Sequence, residues 1–204
     1  MRRPLLPKLY DYVLSDGCYK VRLLLNLLGV PYTTQAVDLF PGREHETDAF
    51  RAINPAGTLP ALDDDGTIVA GAETILVHLA RKHDADWLAP TNRWLDFAGK
   101  DMAALTEARL ASLLGLPGDL DTLRKSGRRA LRDLEDHISD RQLAGLDWVD
   151  GERASIADIA LFPHVALSHD AGIGLEDYPA LNLWQRRVRK LPNFIGMPGI
   201  PDYF

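Results

Sequence analysis

The chain has 204 residues, enough for one large domain or two small ones, each burying a core of its own. Hydrophobic residues make up 46% and charged residues 25%, the balance of an ordinary globular protein rather than a disordered or membrane chain. A formal net charge of -6 argues against generic nucleic-acid binding, and a single cysteine, Cys18, excludes an internal disulfide and points to a reducing cytoplasm.

Residues 1–7 carry two arginines but no apolar stretch of secretory length, and no later apolar run approaches the roughly 20 residues of a membrane span. Residues 8–13 read as a first strand. A turn at Ser15-Asp16-Gly17 leads to Val21, Leu24, Leu25 and Leu28, which recur at helical spacing until Gly29. Residues 31–39 supply a second extended segment and 47–53 a short helix. Residues 59–62 and 67–69 form a hairpin turned by Asp63-Asp64-Asp65-Gly66, an acidic run that lacks the alternating ligands of a calcium loop. Residues 72–83 close the unit as a helix with Ile75, Leu76 and Leu79 inward. The order βαβαββα is that of a thioredoxin-like domain.

From 84 to 92 the pattern loosens around Pro90, and the strand signals end. Residues 94–114, 120–143 and 155–168 read as long helices and 181–191 as a shorter one, ahead of a proline-rich tail. The expected fold class is therefore α/β plus all-α, with domains at 1–84 and 93–204 joined by a linker at 85–92. The six histidines show no metal-ligand spacing, so no metal is expected. Arg124, Lys125, Arg128, Arg129 and Arg132 read as an exposed helix face rather than a nucleic-acid patch.

Three short motifs carry the chemistry. In Asn54-Pro55-Ala56-Gly57-Thr58-Leu59-Pro60-Ala61-Leu62, a tight turn is followed by a proline where a strand begins. Proline cannot donate to a sheet ladder, so Pro60 sits at an edge or follows a cis bond, and such a bond exposes the backbone of Leu59. Next, Glu73-Thr74 places an acid and a hydroxyl at the opening of a helix; on the residues alone the pair is equally a plain helix start. In Ser155-Ile156-Ala157-Asp158 the spacing is that of a capping box, with Pro163 further along the same helix.

Taken in order, these motifs resemble the soluble glutathione S-transferase superfamily, in its bacterial theta-, zeta- and beta-like forms. That family carries an N-P-x-G-x-[VL]-P turn, an E-[ST]-x-x-I helix start and an S-x-x-D box, and the resemblance covers nearly the whole chain. It implies that glutathione, a co-substrate rather than a cofactor, pairs as an added strand with the backbone of Leu59 beside Pro60. Its γ-glutamyl carboxylate would meet the N-terminus of the helix at Ala72 and the Thr74 hydroxyl, and its ammonium would meet Glu73. A homodimer is implied by the family alone. So is a wall for the electrophile from the helical domain, where Trp94, Phe97, Met102 and Leu105 are candidates that serve equally as bundle core.

Two residues compete to activate the thiol. A free thiol of pKa about 8.5 is only a few per cent thiolate at pH 7. Ser15 falls where theta- and zeta-like transferases place a catalytic serine, as a hydrogen-bond donor to the thiolate rather than a nucleophile. Cys18 falls near the cysteine of beta-type enzymes, which form mixed disulfides with glutathione. At a helix's first turn its pKa would be lowered, favouring thiol–disulfide exchange; as a residue it is also a small core filler. Tyr10 and Tyr12 alternate on the first strand and are expected to pack within the sheet.

The sequence departs from the family at two points. Ser15-Asp16-Gly17-Cys18 replaces the zeta-type S-S-C-S, which weakens an assignment as maleylacetoacetate isomerase. Thr58 stands where many relatives have a lysine for the glycyl carboxylate, a role left to Arg43 or His45. The expected function is conjugation of glutathione to a small hydrophobic electrophile, as in detoxification, in the cytoplasm. The alternatives are a glutathione-dependent disulfide reductase using Cys18 and a non-catalytic, protein-binding module.

Overall fold

The computed structural model describes residues 5–200; the start of the N-terminal segment (1–4) and the end of the proline-rich tail (201–204) lie outside the described residues. The chain divides into two compact units, Met1–Ala85 and Asp86–Phe204.

The first unit is a four-stranded mixed sheet with helices: β1 (Lys8–Asp11), α1 (Asp16–Leu27), β2 (Thr33–Ala36), α2 (Asp48–Arg51), β3 (Ala61–Asp64), β4 (Thr67–Ala70) and α3 (Ala72–His83). Strand order is β2-β1-β3-β4, with β1 parallel to β2 and antiparallel to β3. This is the thioredoxin-like order expected. Alternation along β1 sends Tyr10 to one face, where it meets Phe50 of α2 edge-on at 5.8 Å and shares a cluster with Val37 and Ala61. Leu9, paired with Leu62 and fully buried, faces the other side, where α1 and α3 pack together. Tyr10 lies within the sheet as expected, while Tyr12 follows the strand's end and is half-buried.

The hairpin is tighter than expected. Asp63 and Asp64 belong to the ladder, opposite Ile68 and Thr67, so the turn is Asp65-Gly66 alone. Both turn residues have positive φ, 55° and 86°, the twist that two-residue hairpins require. Asp64 is then buried at the sheet's end, where His78 and Lys82 of α3 hold its carboxylate at 2.7 and 2.6 Å. Burial pushes its pKa up, but these two partners outweigh burial and hold it below the usual carboxylate range.

The second unit is helical: α4 (Arg93–Lys100), α5 (Ala103–Leu114), α6 (Leu120–Leu143), α7 (Ile156–Ala166) and α8 (Pro179–Arg189). Residues 94–114 do not form the single helix expected. The Met102 N–H reaches back five residues to the Phe97 carbonyl at 3.1 Å, which breaks the ladder and turns Met102 into the core. Trp94, Met102 and Leu105 are all buried core residues of this unit. Every residue of α7 is buried, as befits a helix apolar all round. Close approach of α5 to α6 depends on Gly127, where a methyl group would lie 2.6 Å from Leu105 Cδ2. On α6, Lys125, Arg128, Arg129 and Arg132 are exposed as expected, but Arg124 is not: its Nε donates to the Ala171 carbonyl at 2.8 Å.

The capping box at Ser155 forms, and its acid extends further than the motif implies. Asp158 is fully buried and accepts from the Ser155 N–H at 2.9 Å, the Val149 N–H at 3.0 Å and the Trp184 indole of α8 at 2.8 Å. Burial lifts its pKa to about 6 against the pull of those bonds. The start of α8 is capped from α6, where Glu135 accepts from the Ala180 and Leu181 N–H groups, each at 2.9 Å. Among the described residues no helix is long and apolar enough to cross a membrane.

Candidate functional site

Ser15 is the N-cap of α1: its backbone is extended and its Oγ accepts from the Cys18 N–H at 3.1 Å. The hydroxyl therefore stands at the positive end of a 12-residue helix. Two residues on, Gly17 is where the first unit's separate motifs meet. A methyl group on Gly17 would lie 3.2 Å from Pro60 Cδ, 3.7 Å from Ala72 Cβ and 3.7 Å from Ser15 Oγ. Helix α1, the Pro60 loop and the start of α3 thus converge on one cradle.

The Pro60 loop is shaped by its own turn. Buried Asn54 donates to the Thr58 carbonyl at 2.8 Å and accepts from the Ala56 N–H at 3.3 Å, and Gly57 takes φ 60° to close the turn. No side chain fits at Gly57, since a Cβ would lie 2.9 Å from the His45 carbonyl. The Leu59–Pro60 peptide bond is cis. Leu59 packs its side chain against the Tyr10–Phe50 cluster, and among the described residues its N–H and C=O carry no main-chain hydrogen bond.

Cys18 is placed differently from the expectation. It lies in the first turn of α1, yet it has no exposed surface, and burial drives its pKa up to about 12 despite hydrogen bonds from Ser15 and the Tyr12 backbone. Desolvation of a thiolate outweighs the helix's positive end. Of the two residues expected near the glycyl carboxylate, Arg43 is exposed and paired with Glu46 at 2.7 Å. His45 lies against the Asn54–Thr58 turn through its carbonyl, with its Nε2 3.5 Å from Glu46.

At the other end of the cradle, α3 starts at Ala72 with Gly71 as N-cap, so Glu73 and Thr74 lie within its first turn. The Glu73 side chain is 30% exposed, and one of its carboxylate oxygens accepts from the Lys20 ammonium of α1 at 2.9 Å. The sequence reading missed Lys20, which is 3% exposed. The signal was available: Lys20 precedes Leu24 by one helical turn, on the stripe that α1 buries. Thr74 is exposed, with its Oγ1 near Gly71. Among the described residues no group of His, Cys, Asp or Glu side chains could hold a metal ion.

An anion seated in this cradle would face the N-termini of both α1 and α3. Comparisons with known proteins agree with the fold. Residues 9–87 match the family model of the glutathione S-transferase N-terminal domain, and residues 102–187 that of the C-terminal domain. The crystal structure of a glutathione S-transferase from Pseudomonas fluorescens is 34% identical, with a TM-score of 0.85 over 95% of this chain and 99% of that one. The chain belongs to the glutathione S-transferase family, a class of glutathione-dependent enzymes. Similar curated proteins include a maleylacetoacetate isomerase of Pseudomonas aeruginosa, 29% identical over 90% of each chain. Another is the glutathione S-transferase GstB of Escherichia coli, 27% identical over 87% of this chain and 90% of that one.

Proposed function

We propose that this chain conjugates the thiolate of glutathione to a small hydrophobic electrophile. Ser15 donates its hydroxyl hydrogen to the ligand sulfur, and the α1 N-terminus adds positive potential, so the anionic form is favoured near neutral pH. The N–H and C=O of Leu59 pair with the cysteinyl backbone in the manner of an added strand. The γ-glutamyl carboxylate lies at the α3 N-terminus within reach of Thr74, and the glycyl end runs toward His45 and Thr58. The same reading carries a homodimer, by analogy with the family, and a cytoplasmic setting, in keeping with a lone thiol.

The observation that carries it is the convergence at Gly17, which sets Ser15, Pro60 and Ala72 around one point. Buried Cys18 weighs against the disulfide-reductase alternative, since its sulfur has no surface on which to meet a second sulfur. The name of the Pseudomonas aeruginosa relative favours isomerisation of a maleyl substrate as a second reading. Against it stands Ser15-Asp16-Gly17-Cys18 in place of the zeta-type signature. Titration with glutathione followed by a crystal structure of the complex tests the proposal. The ligand sulfur is expected within hydrogen-bond distance of Ser15 Oγ; no binding at millimolar glutathione would overturn it.

A further inference from the structure

Ser15 stands on a short link. Strand β1 ends at Asp11 and α1 begins at Asp16, so Tyr12, Val13, Leu14 and the cap itself make the whole passage from sheet to helix. The Ser15 N–H donates to the Tyr12 carbonyl at 3.0 Å, which closes a turn, and Val13 at its crest is 56% exposed. Packing therefore does little to hold the crest. A hydroxyl aimed by a loop drifts with that loop, and a misplacement of about 1 Å can cost about 100-fold in rate.

One ion pair spans the link. Arg22 lies about two helical turns beyond Ser15, along the same line of α1. Its Nη1 donates to Oδ1 of Asp11, the last residue of β1, and its Nη2 donates to the Val13 carbonyl at 3.4 Å. A single guanidinium thus ties together the strand's end, the crest of the loop and the helix that the loop opens. The Arg22 and Asp11 side chains are only 12% and 15% exposed, and the guanidinium lies 5.9 Å from the centroid of the Tyr19 ring. A pair so shielded is held more firmly than a surface ion pair, and either partner alone would be a poorly solvated charge. The groups that grip a peptide are fixed elsewhere, Leu59 by the Asn54 turn and Thr74 by α3.

We propose that Asp11 and Arg22 are positioning residues, which hold the link between β1 and α1 so that the Ser15 hydroxyl keeps its aim at a bound thiolate. They govern turnover and not the binding of glutathione. The inference rests on the reading of Ser15 as the donor to that thiolate.

Arg22→Met keeps the apolar stem and removes both hydrogen bonds. Conjugation of glutathione to chlorodinitrobenzene by this variant is expected to show kcat lowered about tenfold with KM for glutathione within about threefold of the unaltered protein. In a Ser15→Ala background the same substitution is expected to cost less than about twofold more, because the group it aims is already gone. Unchanged kinetics in Arg22→Met, a rise in KM as large as the fall in kcat, or the full tenfold loss repeated in the Ser15→Ala background overturns the inference. A direct effect of the altered charge on the sulfur would give the last of these. Should circular dichroism show Arg22→Met unfolded, Asp11→Asn, which keeps a neutral acceptor for Arg22, carries the test. Its kcat is expected to fall about threefold at unchanged KM with Ser15 present and not at all with Ser15→Ala, and an equal fall in both backgrounds overturns the inference. Unchanged conjugation in Ser15→Ala alone, or none by the unaltered protein, removes the reading of Ser15 and this inference with it.

Discussion

The Ser15 hydroxyl and the Cys18 amide are joined by a 3.1 Å hydrogen bond, so the two candidates for thiol activation are the two ends of one helix cap. They differ in what the cap leaves accessible. Ser15 is half-buried at the helix mouth, and Cys18 is sealed beneath it.

Ser15→Ala removes the donor to the thiolate. Conjugation of a chlorodinitrobenzene probe is expected to fall by about 10- to 100-fold in kcat, the worth of a hydrogen bond to a charged group. Because the bound thiol's pKa then rises, the rising limb of the rate–pH profile moves to higher pH. Loss of the cap lowers stability by about 1 kcal/mol as well, readable in a urea melt. Unchanged kinetics in this variant would remove Ser15 from the mechanism.

Cys18 is expected to be inert. In the folded protein a disulfide reagent at pH 8 labels it slowly, and in denaturant it labels at once. Cys18→Ala retains conjugation. The folded thiol, with its pKa raised to about 12, holds its proton where the unfolded chain has lost it, so stability declines as pH rises through that window. Rapid labelling of the native protein would bring the reductase alternative back.

Gly17→Ala places a methyl group 3.2 Å from Pro60 Cδ, tight enough that the loop must shift by a few tenths of an ångström. Helix propensity improves by up to about 1 kcal/mol, so the melt should hold or rise slightly. Glutathione affinity should fall by about tenfold, since the loop that positions Leu59 is displaced. Parallel titration and melting separate the two effects.

Asp158→Ala leaves the Val149 and Ser155 amides and the Trp184 indole without their acceptor. The expected loss is about 3 kcal/mol or more, since each buried donor left unpaired costs about 1–3 kcal/mol. Its pH signature is opposite to that of an ordinary paired carboxylate. With a folded pKa of about 6, above the free value, the folded state binds the extra proton, so this group's contribution falls as pH rises through that range. Asp158→Asn should remove that slope in melts taken between the free carboxylate value of 3.8 and about pH 6.

The elements that were legible in the sequence are those whose own periodicity decides them. Helix α3 and helix α6 have the bounds that Ile75, Leu76, Leu79 and the long run from Leu120 to Leu143 imply. The break between α4 and α5 was not legible, because the sequence around Asp101 and Met102 has no proline and reads as continuous helix. Only the tertiary pull on Met102 reveals it. The four acidic-run residues gave a turn but not its length, which the ladder sets by claiming Asp63 and Asp64. At the site, Pro60 at the mouth of a strand and Ser15 just ahead of the first helix were within reach of local reading, but the turn expected at Ser15-Asp16-Gly17 is instead the cap and first two residues of α1. The Lys20–Glu73 pair spans 53 residues, and no local pattern announces so distant a partner.

Helix α8 is fastened at two places by carboxylates from different helices: Glu135 of α6 at its first amides, and Asp158 of α7 at Trp184. A terminal helix tied in this way is not a detachable appendage that frays first. Its amides exchange with solvent only when the helical unit opens as a whole, so trimming the chain inside α8 would melt that unit rather than shorten it.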